Sequence, residues 1–204
     1  MKKFLAMLLS AALLCPAMAM AEDTIKIGIF EPMTGATAAG GSMEKEGFDL
    51  ANELYPDVLG KKIELVYGDN KSDRAEATLA AQSLVDKGVV AVLGSYGSGL
   101  SMAGGEVFAE NEIPALTATA TNPTITLDCE WYARICFIDP FQGTMLARYA
   151  VKNEYKKIAI MREKDSEYSV GLVKYFQDEI ATHDGYEVVA LCDFMNKDED
   201  FSAL

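Results

Sequence analysis

The chain has 204 residues, half of them hydrophobic and 24% charged, with 31 acidic against 18 basic side chains and a formal charge of −13. So acidic a surface repels phosphate backbones and anionic lipid, which argues against nucleic-acid and membrane-surface roles. A chain of this length buries enough core to need no disulfide framework.

At the start, Lys2 and Lys3 precede an apolar run over residues 4–14, and Ala19-Met20-Ala21 fits the small-x-small cleavage rule. Residues 1–21 therefore read as an export signal, placing the mature chain in the periplasm or another extracytoplasmic space. The run is too short to cross a bilayer, which takes roughly 20 residues. Cys15 reads as part of the cleaved signal rather than a lipid anchor, because Leu14 is bulky where lipidation wants a small residue. Losing Lys2 and Lys3, and no acid, takes the formal charge from −13 to −15. Cys129, Cys136 and Cys192 remain, an odd set, and Cys136 is expected as a buried free thiol inside a strand.

Strand and helix patterns then alternate. Residues 25–30 form a short apolar strand, followed by a Gly/Thr-rich loop through Ser42 and a helix carrying Phe48, Leu50, Ala51 and Leu54 that Pro56 stops. A strand at 63–67 leads to a helix with Ala77, Leu79, Ala80, Leu84 and Val85, capped by Ser72 or Asp73 and ended by Gly88. Residues 89–93 are all apolar, as in a strand buried on both faces of a parallel sheet. A tight turn at 94–99, a helix over 100–110 and strands at 115–118 and 131–138 follow. A helix over 141–152, a strand at 158–162, a helix over 170–181 and a strand at 188–192 complete the series. Met145, Tyr149 and Phe176 read as ordinary core.

Repeated strand-helix-strand units imply an α/β fold of open, mostly parallel sheets with helices on both faces. The expected organisation is a first lobe over 22–150 and an incomplete second lobe over 151–204, whose strands pair in parallel in a sheet of their own.

Ligands of open α/β sheets bind beyond the carboxyl ends of the strands, and two turns there carry suitable chemistry. In Gly94-Ser95-Tyr96-Gly97-Ser98-Gly99, glycines admit close approach, and Ser98 stands where a helix offers free amides to an anion such as a carboxylate. Alternatively, Ser98 merely caps its own helix. In Thr117-Ala118-Thr119-Ala120-Thr121-Asn122-Pro123, hydroxyls and carbonyls suit an ammonium and a share of the carboxylate, or form only a turn.

The run from Gly94 to Pro123, with residues 28–35, Asp139-Pro140-Phe141-Gln142-Gly143 and Tyr168-Ser169-Val170-Gly171-Leu172, resembles the leucine/isoleucine/valine-binding proteins, type I periplasmic binding proteins of ABC importers. The resemblance covers essentially residues 24–204 and implies two lobes closing on an amino acid or similar small carboxylate, which is then passed to a membrane permease. It implies that Ser98 and Thr121 meet the ligand's carboxylate, that the Thr119 carbonyl meets its ammonium, and that Tyr168 reaches in from the second lobe. Tyr96, Gly97 and Ala120 complete the expected contact set. Where leucine-type receptors set a tyrosine against the ligand this chain has Gly40, so a roomier pocket is expected. The resemblance also admits a sensor-type receptor for amides or aromatic acids.

Enzymatic readings find little support. His183, the one histidine, precedes Asp184-Gly185 at a helix end and reads as solvated. Ser95, Ser98 and Ser101 all lack a complete G-x-S-x-G elbow, and Met102 breaks the dinucleotide fingerprint begun by Gly97 and Gly99. No metal or cofactor is expected. An exported α/β hydrolase would need a histidine from beyond Leu204.

Overall fold

Short apolar runs separated by helices place their backbone polar groups in parallel ladders. The computed structural model describes residues 24–202, so the expected export signal and Cys15 lie outside the described residues. Strand β1 (Ile25–Glu31) is central in the first sheet. On one side it pairs in parallel with β3 (Lys61–Asp69), from Ile25↔Ile63 to Glu31↔Asp69. On its other side lie β4 (Ala91–Gly94), β5 (Ala115–Thr117) and β6 (Tyr132–Arg134), again parallel. The chain thus steps from β1 to one flank and returns to the other, leaving a topological switch point beyond the carboxyl ends of β1 and β4.

A strand absent from the sequence reading, β2 (Asp57–Val58), folds back antiparallel on β3 at the sheet edge. Its two-residue turn puts Leu59 at φ 52° and Gly60 at φ 77°, the geometry that matches hairpin twist.

Helices α1 (Ala38–Leu54), α2 (Arg74–Asp86) and α3 (Ser98–Glu110) belong with this sheet. Helix α1 starts within the stretch expected as loop, because Gly40 and Gly41 serve close packing: a Cβ on Gly41 would stand 2.4 Å from the Pro32 carbonyl oxygen. Asp73 is the cap of α2, accepting from Ala75 N at 2.8 Å and Glu76 N at 3.1 Å. Ser72 turns away to accept from Thr37 N and donate to Thr34 O. The core joins Val92, Leu84, Leu100, Val107 and an edge-to-face pair, Phe30 and Phe108, 5.4 Å apart.

Two expected strands shorten. Val90 is 57% exposed and β4 begins only at Ala91, so the run 89–93 is not buried throughout. The strand expected over 131–138 ends at Arg134, whose side chain turns to the loop carbonyls; Ile135 and Phe137 are exposed. Cys136 consequently lies half-buried in a bend, as a free thiol, rather than buried in a strand.

Strands β7 (Lys157–Glu163) and β8 (Glu187–Phe194) pair in parallel in a separate two-stranded sheet. Against it pack α4 (Asp139–Lys152) and α5 (Glu167–Ile180), with Ala147, Ala150 and Ile180 buried beside Ile158 and Val188. The expected division at residue 150 falls within α4, whose buried face packs with the second sheet. Met145 and Tyr149 of this helix are exposed rather than core.

Candidate functional site

A crevice of about 530 Å³ opens where the carboxyl ends of the first sheet face the loops of the second. Tyr96, Gly97, Ser98, Thr119, Ala120 and Thr121 line it from the first sheet, and Tyr168 from the second. The seven residues of the expected contact set thus line one cavity, from its two sides. Phe137, Gln142 and Glu163 also face it, and Gln142 donates to the Tyr168 hydroxyl at 2.9 Å.

The turn between β4 and α3 is held rigid by buried groups. Gly94, at φ 114°, packs so tightly that a Cβ there would stand 2.0 Å from the Phe30 carbonyl oxygen. The Ser95 carbonyl accepts from Ser101 Oγ at 2.9 Å and from Thr117 Oγ1 at 3.1 Å, while Asn70 Nδ2 donates to Ser95 Oγ at 2.9 Å. The cap of α3 is Gly97, at φ 96°, with no side-chain capping bond. Ser98 is therefore not its own helix's cap. Its Oγ accepts from Asn122 N at 3.3 Å and ties the two turns together. The first intrahelical bond runs from Ser101 N to Gly97 O, so the amides of Ser98, Gly99 and Leu100 make none and form a positive helix end.

The second turn is clamped by Arg134, which donates to the carbonyls of Ala120 and Asn122 at 2.9 and 2.8 Å and to Thr126 Oγ1 at 3.0 Å. Thr121 Oγ1 donates to Asp139 Oδ1 at 2.5 Å, so its hydroxyl hydrogen is already committed. In this arrangement the Thr121 hydroxyl has only its lone pairs left for a further partner. Asp139 is fully buried, and burial raises its carboxyl above the usual range, against the lowering effect of Thr121 and Arg134.

Two functional candidates escaped the sequence reading. Glu31, at the end of β1, is fully buried and accepts from Tyr96 N at 2.7 Å. Glu44 on α1 accepts from the Thr119 hydroxyl. Burial, with the Glu44 charge next, raises Glu31 to about 9, and Glu44 is raised by its own burial. Burial and the neighbouring Glu44 thus favour the protonated form of Glu31. An acid directly behind Ile29-Phe30 at a strand's carboxyl end was the available signal.

The roomier pocket expected at Gly40 is absent. The Tyr96 ring fills that space, with three of its carbons 2.5–2.7 Å from where a Cβ would sit. His183 is not among the lining residues and lies beside Glu179, Nε2 to Oε1 3.5 Å.

A crevice at the carboxyl ends of open parallel sheets, with a bare helix start in its wall, is where α/β folds of this kind bind their ligands. A family model for periplasmic binding proteins matches residues 24–204, and the chain belongs to that family, in its type I leucine/isoleucine/valine-binding branch. It is 33% identical over 204 residues to Leu/Ile/Val-binding protein homolog 2 of Brucella abortus, covering 94% of this chain and 53% of that one. Among solved structures it is similar to the leucine-binding protein LivK of Thermotoga maritima, at 37% identity and a TM-score of 0.84, covering 88% of this chain and 51% of that one. It is also similar to the branched-chain amino acid transporter substrate-binding protein LivJ of Streptococcus pneumoniae in complex with isoleucine, at 32% identity and a TM-score of 0.81, over 88% and 52% of the two chains. The chain spans about half the length of the curated relatives it matches. No helix among the described residues is long and apolar enough to cross a membrane.

Proposed function

We propose that this chain forms the ligand-capturing part of an extracytoplasmic receptor of an ABC importer, exported by residues 1–21. It takes an amino acid or a similar small carboxylate into the crevice and delivers it to a membrane permease. The first lobe runs from the mature start to about Ile138, and the second begins with α4 at Asp139.

The observation that carries this reading is the open start of α3 at the crevice. Three amides without intrahelical partners point their partial positive charge at one place, and an anion there needs no counter-ion from a side chain. The Ser98 hydroxyl accepts from Asn122 and, among the described residues, gives its hydrogen to no other group, so it is ready to donate to a carboxylate oxygen. Closure of the two lobes around the ligand excludes water and strengthens both contacts. Chemistry on the ligand plays no part in this reading.

Mass spectrometry of small molecules released by denaturing the full-length protein tests it. A stoichiometric amino acid or carboxylate is the expected result. A stoichiometric neutral sugar or phosphorylated compound would contradict it.

A further inference from the structure

Two carboxyl groups stand behind the crevice wall: Glu31, fully buried at the end of β1, and Glu44 on α1. One oxygen of each is engaged. Glu31 Oε2 accepts from Tyr96 N at 2.7 Å, and Glu44 Oε1 accepts from the Thr119 hydroxyl. The other two oxygens, Glu31 Oε1 and Glu44 Oε2, are buried and meet no donor, although the carboxyls are within hydrogen-bonding reach of each other. Carboxylate oxygens only accept, so two ionised groups cannot satisfy one another. A proton on one makes an acid–carboxylate hydrogen bond and removes both orphans together.

The neighbouring groups are engaged elsewhere. Asp69, the register partner of Glu31 on β3, accepts from Met33 N, the Thr34 hydroxyl and Lys71 N. Lys45, next to Glu44 on α1, pairs with Asp49 at 2.6 Å. Tyr132 of β6 donates to the Gly94 carbonyl at 2.6 Å, and Cys136 lies against the Ala120 carbonyl. Arg134 holds loop carbonyls, and Asp139 accepts from Thr121. Among the described residues no third ligating side chain joins the acid pair, as a metal ion would want.

The pair backs both turns of the site. Tyr96 belongs to the turn before α3 and Thr119 to the turn after β5, and both line the crevice. Helix α1 supports the two together, since Gly40 receives the Tyr96 ring and Glu44, one turn on, holds Thr119. We propose that Glu31 and Glu44 are positioning residues of the ligand site, one proton between them clamping α1 to β1 and so holding Tyr96 and Thr119 on the crevice wall. This rests on the crevice being the ligand site. Loss of the proton leaves two buried negative charges facing each other, and the support of both turns is lost. Binding therefore weakens as pH rises through the Glu31 pKa of about 9.

Infrared spectroscopy and calorimetric titration of the full-length protein test the pair. The ligand-free parent should show, at neutral pH, a protonated-carboxyl carbonyl stretch that fades in alkali and is missing from Glu31→Gln. Titrations use L-leucine, L-phenylalanine, L-glutamate and benzoate. Whichever binds should weaken at least about tenfold between about pH 7 and 10, the scale of one charge-assisted contact. Glu31→Gln, whose amide donates to Glu44 at any pH, should flatten that loss, and Glu44→Gln should do so from the other side. Comparison with these variants cancels the titration of an amino acid's own ammonium. A parent without the infrared band, or the same pH dependence in parent and variants, would overturn the positioning role and leave the receptor reading intact. Binding of none of the four compounds would count against both. The parent's band and pH profile are themselves decisive, so the test survives a variant that fails to fold.

Discussion

The ring of Tyr96 lies directly on Gly40, two residues 56 positions apart that close the crevice wall between the β4–α3 turn and helix α1. Because three ring carbons stand 2.5–2.7 Å from an ideal Cβ on Gly40, glycine here serves space rather than conformational freedom.

The consequence is a coupling between the two positions. In the parent, Gly40→Ala should lower unfolding stability by up to about 1 kcal/mol, below the usual overpacking cost because the partly exposed Tyr96 ring can move aside. With Tyr96→Ala already made, the same substitution should raise stability by up to about 1 kcal/mol, since alanine is the better helix former. Denaturant unfolding of the four proteins in this cycle measures both effects. Equal effects of Gly40→Ala in both backgrounds would show that the ring and the glycine are uncoupled.

The clamp formed by Arg134 makes a second prediction. Its planar fork reaches the carbonyls of Ala120 and Asn122 and the hydroxyl of Thr126 together, which a lysine ammonium cannot do. Arg134→Lys should loosen the turn 119–126 while leaving the two sheets folded. Hydrogen exchange should accelerate at the amides of Ala120 and Asn122, with little change in β1 and β3. Unaltered exchange at those two amides would contradict the assignment.

The pH dependence follows from Glu31. Its folded pKa, raised to about 9 by burial and by Glu44, lies above its ordinary value of 4.5. The folded state therefore holds this proton more tightly than the unfolded chain does. The stabilisation is fully present below the unfolded pKa and is lost as pH rises through the folded one. Thermal melts should show stability declining between about pH 5 and 9. Glu31→Gln, which mimics the protonated acid and still accepts from Tyr96 N, should flatten that decline. A variant with the parent's slope would place the titrating group elsewhere.

Much of this architecture was legible in the chain. Val92 and Leu93 before Gly94 signal a strand entering a tight turn, and the Thr-rich loop after β5 signals a second turn at the same sheet edge. Parallel topology alone then brings Ser98 and Thr121 to one crevice. What the sequence hid depends on side chains meeting across long separations. Nothing local to Gly40 announces Tyr96, and nothing in Glu44 announces Glu31. The strand at 131–138 was over-read because Ile135 and Phe137 have strand-like side chains, although the turn of Arg134 toward its loop takes the backbone off the ladder. Helix α4 follows with no break in composition, and what packs it with the second sheet is the burial of Ala147 and Ala150 against Ile180.

The most direct test of the receptor reading is titration calorimetry on the full-length protein and its Ser98→Ala variant, using the compound that co-purifies with the parent. Ser98 is 2% exposed, and its hydroxyl stands at the bare start of α3. A hydrogen bond to a charged group is worth about 1.5–3 kcal/mol, so the variant should bind roughly 10- to 150-fold more weakly. Its ligand-free melting temperature should stay close to the parent's, because the capping position is Gly97. Equal affinity in the two proteins would contradict the account and place the anion site elsewhere, and a variant that unfolds in the absence of ligand would assign Ser98 to the fold instead.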